Sequence, residues 1–278
     1  MKLSIDTSLM SGLSVDETLE SISKLGYRYV EVGLAHYLPH EASDEETRAF
    51  DRALSNHNVR LAALFGTYPV SYPEDEIRQT GVQQFQTAIR RARELGCNLL
   101  VAELMGDAER HVECAEAFKR SMAELLPTLE QNKTTLCFEA HPGDFIERNR
   151  FAVDLIRSLQ TSRVRYLYCV PHSFILGENI QEMIEYSRDI LGYVHLADSF
   201  RPERTFFSGR YFPQVQPHQH LVIGKGDVDF RSVFASLRRI GYDGFLTVDP
   251  FSMRDNPVGA ARESKAAAER LMSEAGTT

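Results

Sequence analysis

No stretch of this 278-residue chain approaches the roughly 18 consecutive apolar residues of a membrane span. Its opening, MKLSIDTSLMSG, has one Lys and no apolar core of a secretory leader, so a soluble, unprocessed protein is expected. Cysteine is scarce and scattered: Cys97, Cys114, Cys137 and Cys169 form no C-x-x-C. That spacing argues against a disulfide framework or a zinc ribbon and fits a reducing cytoplasm. Basic charge is in deficit, with 31 Lys and Arg against 39 Asp and Glu and a formal net charge of −8. Such a surface repels a phosphate backbone, and nucleic acid is not an expected partner. A G-x-G-x-x-G turn after the first strand is missing, which removes the usual mark of a dinucleotide-binding open sheet. Gly224-Lys225-Gly226 is a weak phosphate-loop pattern that reads better as a turn before a helix. What is present is ordinary for a folded protein: 43% hydrophobic and 25% charged residues exclude disorder, collagen-like repeats and coiled coil.

Strand-like and helix-like stretches alternate along the chain. Leu3 to Asp6 reads as a strand, and Ser14-Val-Asp-Glu17 has the S-x-x-E form of a capping box opening a helix through Leu25. Further strands are expected at Tyr29 to Gly33, Arg60 to Phe65, Asn98 to Glu103, Thr134 to Glu139, Val164 to Cys169, Tyr193 to Ala197 and Gly244 to Asp249. Between them, Ser43-Asp-Glu-Glu46 caps a helix ending near Asn56, and Gly81 to Leu95 carries Val82, Phe85, Ile89 and Ala92 on one face. Cys114 to Gln131 predicts a helix broken or kinked at Pro127. Helices at Asn149 to Leu159, Ile180 to Asp189, Phe230 to Arg239 and Gly259 to Met272 complete the pattern. Eight alternations over roughly 250 residues predict an α/β fold, a closed (β/α)₈ TIM barrel forming one domain over residues 1–278. An open doubly wound sheet is the alternative.

A barrel of this type builds its site where the strands end. Those ends carry Asp6, Glu31, Glu103, Glu139, Cys169, His195 and Asp249, most of them able to bind a metal. Asp6 or Glu103 alone reads as a helix cap or loop hydrogen-bonder, but the set is harder to dismiss. Five of the nine histidines, His141, His172, His195, His218 and His220, fall between Glu139 and Asp249. Mixed carboxylate and imidazole donors suit Mn²⁺, Co²⁺, Zn²⁺ or Fe²⁺ better than Ca²⁺ or Mg²⁺, making a divalent transition metal the expected cofactor. Held among carboxylates, such an ion can polarise a carbonyl while a carboxylate removes the neighbouring proton, which is sugar-isomerising chemistry. The connection from Asp198 to Leu221 adds Arg201, Arg204 and Arg210 with Phe206, Phe207, Tyr211 and Phe212, fitting a hydroxylated or phosphorylated substrate or else a solvated loop.

From Leu136 onward the motifs become specific. Leu136-Cys-Phe-Glu-Ala-His-Pro-Gly143, Cys169-Val-Pro-His172, Tyr193-Val-His-Leu-Ala-Asp-Ser-Phe-Arg201, Pro217-His-Gln-His220 with Ile223-Gly-Lys-Gly-Asp-Val-Asp-Phe230, and Gly241-Tyr-Asp-Gly-Phe-Leu-Thr-Val-Asp-Pro-Phe251 follow one another. With them the chain resembles the xylose isomerase-like TIM-barrel superfamily: ketose 3-epimerases, inosose isomerases and dehydratases, and endonuclease IV. The resemblance implies Glu139 as metal ligand and base and His195 as a ligand. It implies His172 and Arg201 as substrate-contacting groups, with His220, Glu31 and Glu103 beside the substrate. Two positions depart from the pattern: the family's strand-six Asp is Cys169 here and its strand-eight Glu is Asp249, so both stand as altered ligands, Asp249 also as second catalytic carboxylate. Asp249 falls short of a Glu by about 1.5 Å. A packing role for Cys169 and a capping role for Asp249 remain open. The implied activity is isomerisation or epimerisation of a small sugar, inosose or keto-polyol through an enediolate. Dehydration by the same barrel, or a decayed site that only binds, are the alternatives. Endonuclease activity is disfavoured by the net charge, and a homo-oligomer is left open.

Overall fold

The computed structural model describes residues 1–201 and 219–275. Eight parallel strands close into a barrel in chain order: β1 (Lys2–Asp6), β2 (Tyr29–Gly33), β3 (Arg60–Phe65), β4 (Leu99–Glu103), β5 (Thr135–Glu139), β6 (Val164–Cys169), β7 (Leu191–Leu196) and β8 (Phe245–Val248), which returns to pair with β1. This is the (β/α)₈ barrel that the alternation predicts. No helix among the described residues is long and apolar enough to cross a membrane.

The period-two alternation of a strand divides each sequence between two cores. On β5, Leu136 and Phe138 join the outer core under the helices, where Phe138 meets Phe118 edge-on at 4.9 Å between centroids. Cys137 instead joins Ala63, Val101, Leu167, Cys169 and Tyr193 in a separate cluster that fills the barrel interior. The register pairs Glu103 with Glu139 and Cys169 with His195, so these side chains reach the same rim side by side.

Both serine capping boxes form as the sequence predicts, Ser14 with Glu17 and Ser43 with Glu46. Two helices differ from expectation. Asp75–Glu94 starts well before Gly81, whose place is inside the helix because a Cβ there would lie 2.8 Å from the backbone of Pro69. His111–Asn132 runs unbroken through Pro127; the buried Leu125 and Leu129 on either side anchor it to the core and offset the lost hydrogen bond.

Gly224-Lys225-Gly226 is a turn, and its anion-binding capacity is already used internally. The buried Asp198 carboxylate accepts the N–H groups of Gly224 at 2.8 Å, Val228 at 3.1 Å and Ser199 at 2.9 Å. Asp198→Ala would strand these amides, and we expect it to lower unfolding free energy by about 3 kcal/mol in urea titration. A loss below about 1 kcal/mol would mean that water replaces the carboxylate.

Candidate active site

The C-terminal ends of the strands open into a cavity of about 610 Å³. Its rim is built from neighbouring strands, each presenting its last inward side chain: Asp6 from β1, Glu31 from β2, Glu103 from β4, Glu139 from β5, His195 from β7 and, just beyond β8, Asp249. His172 enters from the short helix Val170–Ile175 that follows β6, and His220 from the connection leading to the helix Phe230–Arg239. Leu34, Pro39, Phe65, Tyr68 and Phe251 supply an apolar and aromatic outer wall.

Glu139 is buried, and its Oε2 lies 3.7 Å from Nδ1 of both His172 and His195. Burial alone would raise its carboxyl, but the contact with His195 and the charges of His172, His195 and His141 hold it down to about 2. His195 Nε2 is 3.0 Å from Glu31 Oε2. Burial would lower the imidazole, yet the Glu31 charge and the contacts with Cys169, Glu139 and Glu31 raise it well above its ordinary range. His220 Nδ1 donates to Asp249, 2.9 Å from the carbonyl and 2.8 Å from Oδ2, while its Nε2 faces His172 Nε2 at 3.1 Å. Burial pushes His220 down to about 3 and keeps it neutral; Phe251 stacks on its ring at 4.1 Å.

Asp6 and Asp249 form a second kind of pair. Burial and the neighbouring Asp249 charge raise Asp6 to about 7; burial, with Glu31 and Glu139 adding repulsion against the pull of His195, raises Asp249 to about 7. Together they hold a proton close to neutral pH. On the far wall, Glu103 is raised to about 7 by burial and by the Glu139 charge. His141 is held between Glu103 at 3.8 Å and Asp144 at 3.1 Å; these carboxylates overcome its burial and raise it to about 9.

The expected site residues Glu31, Glu103, Glu139, His172, His195, His220 and Asp249 thus line one cavity, with Cys169 packed behind them at the end of β6. Arg201 does not join them. After β7 the chain is pinned by the Asp198–Leu221 bridge and by Asp227, which receives the Arg201 N–H at 3.0 Å, and Arg201 is left exposed. Arg204, Phe206, Phe207, Arg210, Tyr211, Phe212 and His218 lie outside the described residues. Asp6, read as a cap, is one, accepting the Ser8 N–H at 2.9 Å, and it lines the cavity as well. Asp144, His36 and Tyr68 carried no sequence signal; their position in loops after strands was the available hint.

The donor set fits a metal ion. Glu139 Oε2 is buried without a hydrogen-bond partner, at 3.7 Å from two imidazole nitrogens. That spacing is too long for a hydrogen bond, yet two donors on a tetrahedral Zn²⁺ stand roughly 3.3–3.8 Å apart. Donor atoms of Glu139, Cys169 and His195 all lie within 4.8 Å of one another, and so do those of Cys169, His172 and His220.

A closed barrel with this carboxylate and histidine rim belongs to a defined class: residues 19–272 match the family described as xylose isomerase-like TIM barrel, and the chain is a member of it. Among its relatives, the inosose isomerase of Bacillus velezensis is 21% identical over 252 residues, 88% of this chain and 86% of that protein. The D-psicose 3-epimerase of Enterocloster bolteae is 25% identical over 144 residues, 51% of this chain and 42% of that protein. Two solved structures share the fold. D-psicose 3-epimerase in the presence of D-fructose has a TM-score of 0.80 at 16% identity, covering 98% of this chain and 99% of the other. The IOLI protein with a binding zinc atom has a TM-score of 0.80 at 17% identity, covering 99% of each.

Proposed function

We propose that the protein is an enzyme of the isomerase class that isomerises or epimerises a small sugar, inosose or keto-polyol, with a divalent transition metal held by Glu139, Cys169 and His195. The observation that carries this reading is the unpartnered, buried Glu139 oxygen set between imidazoles on the rim of the cavity. The relatives, named as an inosose isomerase and ketose epimerases, support the same chemistry. A bound divalent ion would supply positive charge for the substrate carbonyl oxygen.

The rest falls to the chain's own side chains. Glu139, ionised down to about pH 2, is available to take the proton beside the carbonyl. The Asp6–Asp249 pair, holding a proton near neutrality, can return it from another strand's position on the rim. Removal on one face and return on another gives the epimer; return to the neighbouring carbon, with the hydroxyl proton passing between the two enediolate oxygens, gives the isomer. His172 and Glu103 orient hydroxyl groups, and the aromatic outer wall limits water. The scattered, buried, unpaired cysteines favour a cytoplasmic setting, and the closure of β8 on β1 favours a single domain.

Dehydration is a second reading favoured by one cluster. His141, raised to about 9, stays protonated and can protonate a departing hydroxyl. The test is incubation with a panel of ketoses and inososes in D₂O with Zn²⁺ or Mn²⁺. We expect NMR to show deuterium beside the carbonyl together with an epimer or isomer. Loss of water to an unsaturated or dicarbonyl product would select the dehydratase, and absence of exchange across the panel with metal bound would overturn both.

A further inference from the structure

We infer that Glu31 is a positioning residue that fixes the His195 ring with Nδ1 toward Glu139, and that Tyr193, anchored by a chain of hydroxyl groups through the barrel interior, holds that ring from the side. The inference rests on the metal-binding reading of Glu139, Cys169 and His195. Its geometry is nonlocal, because β1 and β8 separate β2 from β7 and barrel closure brings Glu31 Oε2 to 3.0 Å from His195 Nε2.

The direction of the chain follows from proton counting. Thr247 Oγ1 donates to the Tyr193 hydroxyl at 2.5 Å, so the 2.6 Å contact between Ser4 and Thr247 is a donation from Ser4. Tyr193 is thereby anchored at its hydroxyl by β8. Both links point the same way, from Ser4 through Thr247 to Tyr193. A carboxylate is an acceptor, so the His195 nitrogen that Glu31 meets at 3.0 Å carries the hydrogen. In a neutral imidazole that leaves the lone pair on Nδ1, the atom facing Glu139 Oε2.

Ser4, Thr247 and Tyr193 are fully buried and Glu31 is 1% exposed, so no water competes for these bonds. The Tyr193 ring also meets His195 edge-on, centroids 5.6 Å apart, and blocks rotation of the imidazole. A carboxylate behind a ligating histidine raises its basicity and fixes its tautomer. Glu31 therefore acts through His195 and not on the substrate.

The experiment measures Zn²⁺ dissociation constants by chelator competition for the wild-type chain, Glu31→Ala, Glu31→Gln and Tyr193→Phe, with a ¹⁵N spectrum of the zinc-loaded wild type. Glu31→Ala should weaken zinc binding roughly 10- to 100-fold. Glu31→Gln keeps an acceptor oxygen and should recover most of that loss; Tyr193→Phe should fall between wild type and Glu31→Ala. The spectrum should show His195 protonated at Nε2 and bare at Nδ1, and it carries the test if Glu31→Ala does not fold. Equal zinc affinity in Glu31→Ala, or a proton on Nδ1, overturns the inference and leaves the metal site standing. A wild type that binds no zinc overturns both.

Discussion

Glu139→Gln should abolish metal loading and lower turnover on the order of 10⁴-fold, because one side chain carries both duties. The amide preserves the size of the side chain but removes the negative charge that faces His172 and His195 at 3.7 Å. Without it a divalent cation loses an anionic donor, and the proton beside the carbonyl loses its acceptor. The fold should survive, since the lost charge sits on an oxygen with no hydrogen-bond partner. Elemental analysis, steady-state turnover and a melting curve with and without zinc would check this. Zinc should raise the melting temperature of the wild type and leave the variant unmoved. Full occupancy and full activity in Glu139→Gln would sink the assignment of this residue.

Cys169→Asp should shift the metal preference, moving the Zn²⁺ to Mn²⁺ affinity ratio toward manganese by about 100-fold. A thiolate favours softer ions and gives a single sulfur donor, whereas a carboxylate at the same place favours harder ones. Burial pushes the Cys169 thiol well up, with the Glu139 charge adding to the effect, so the sulfur becomes a strong donor only when a cation displaces its proton. Cobalt-loaded wild type should show thiolate-to-metal charge-transfer absorption that Cys169→Asp lacks. An unchanged affinity ratio together with no such band would reduce Cys169 to a packing residue of the barrel interior.

The barrel was legible because its signals are local. Capping serines, glycine stops and apolar runs mark strand and helix independently of tertiary structure, and their eightfold alternation carries the topology. Pro127 was misleading for the complementary reason: whether a helix survives a proline depends on buried neighbours such as Leu125 and Leu129, which local propensity does not weigh. At the site, the histidines and carboxylates were visible as residue types at strand ends, while their partners were not. That Glu31 meets His195, 164 positions away, or that Asp6 stands beside Asp249, depends on barrel closure. Arg201 shows the limit of spacing arguments, since the turn clamped by Asp198 and Asp227 directs it to solvent despite its place six residues after His195.

The distribution of the donors over the strands also bears on motion. Glu139, Cys169 and His195 come from the consecutive strands β5, β6 and β7, joined by three register pairs between β5 and β6 and by four between β6 and β7, with a shift between Tyr166 and Leu167. The seam between β3 and β4 rests on two such pairs, Leu64 with Leu100 and Phe65 with Val101, and β1 meets β2 through two more. The wall formed by Leu34, Phe65 and Tyr68 stands over these weaker seams. Amide exchange is expected to be faster at these two seams than in the strands that carry the three donors. The donors thus stand on one arc of the barrel and the thinner pairing on the other.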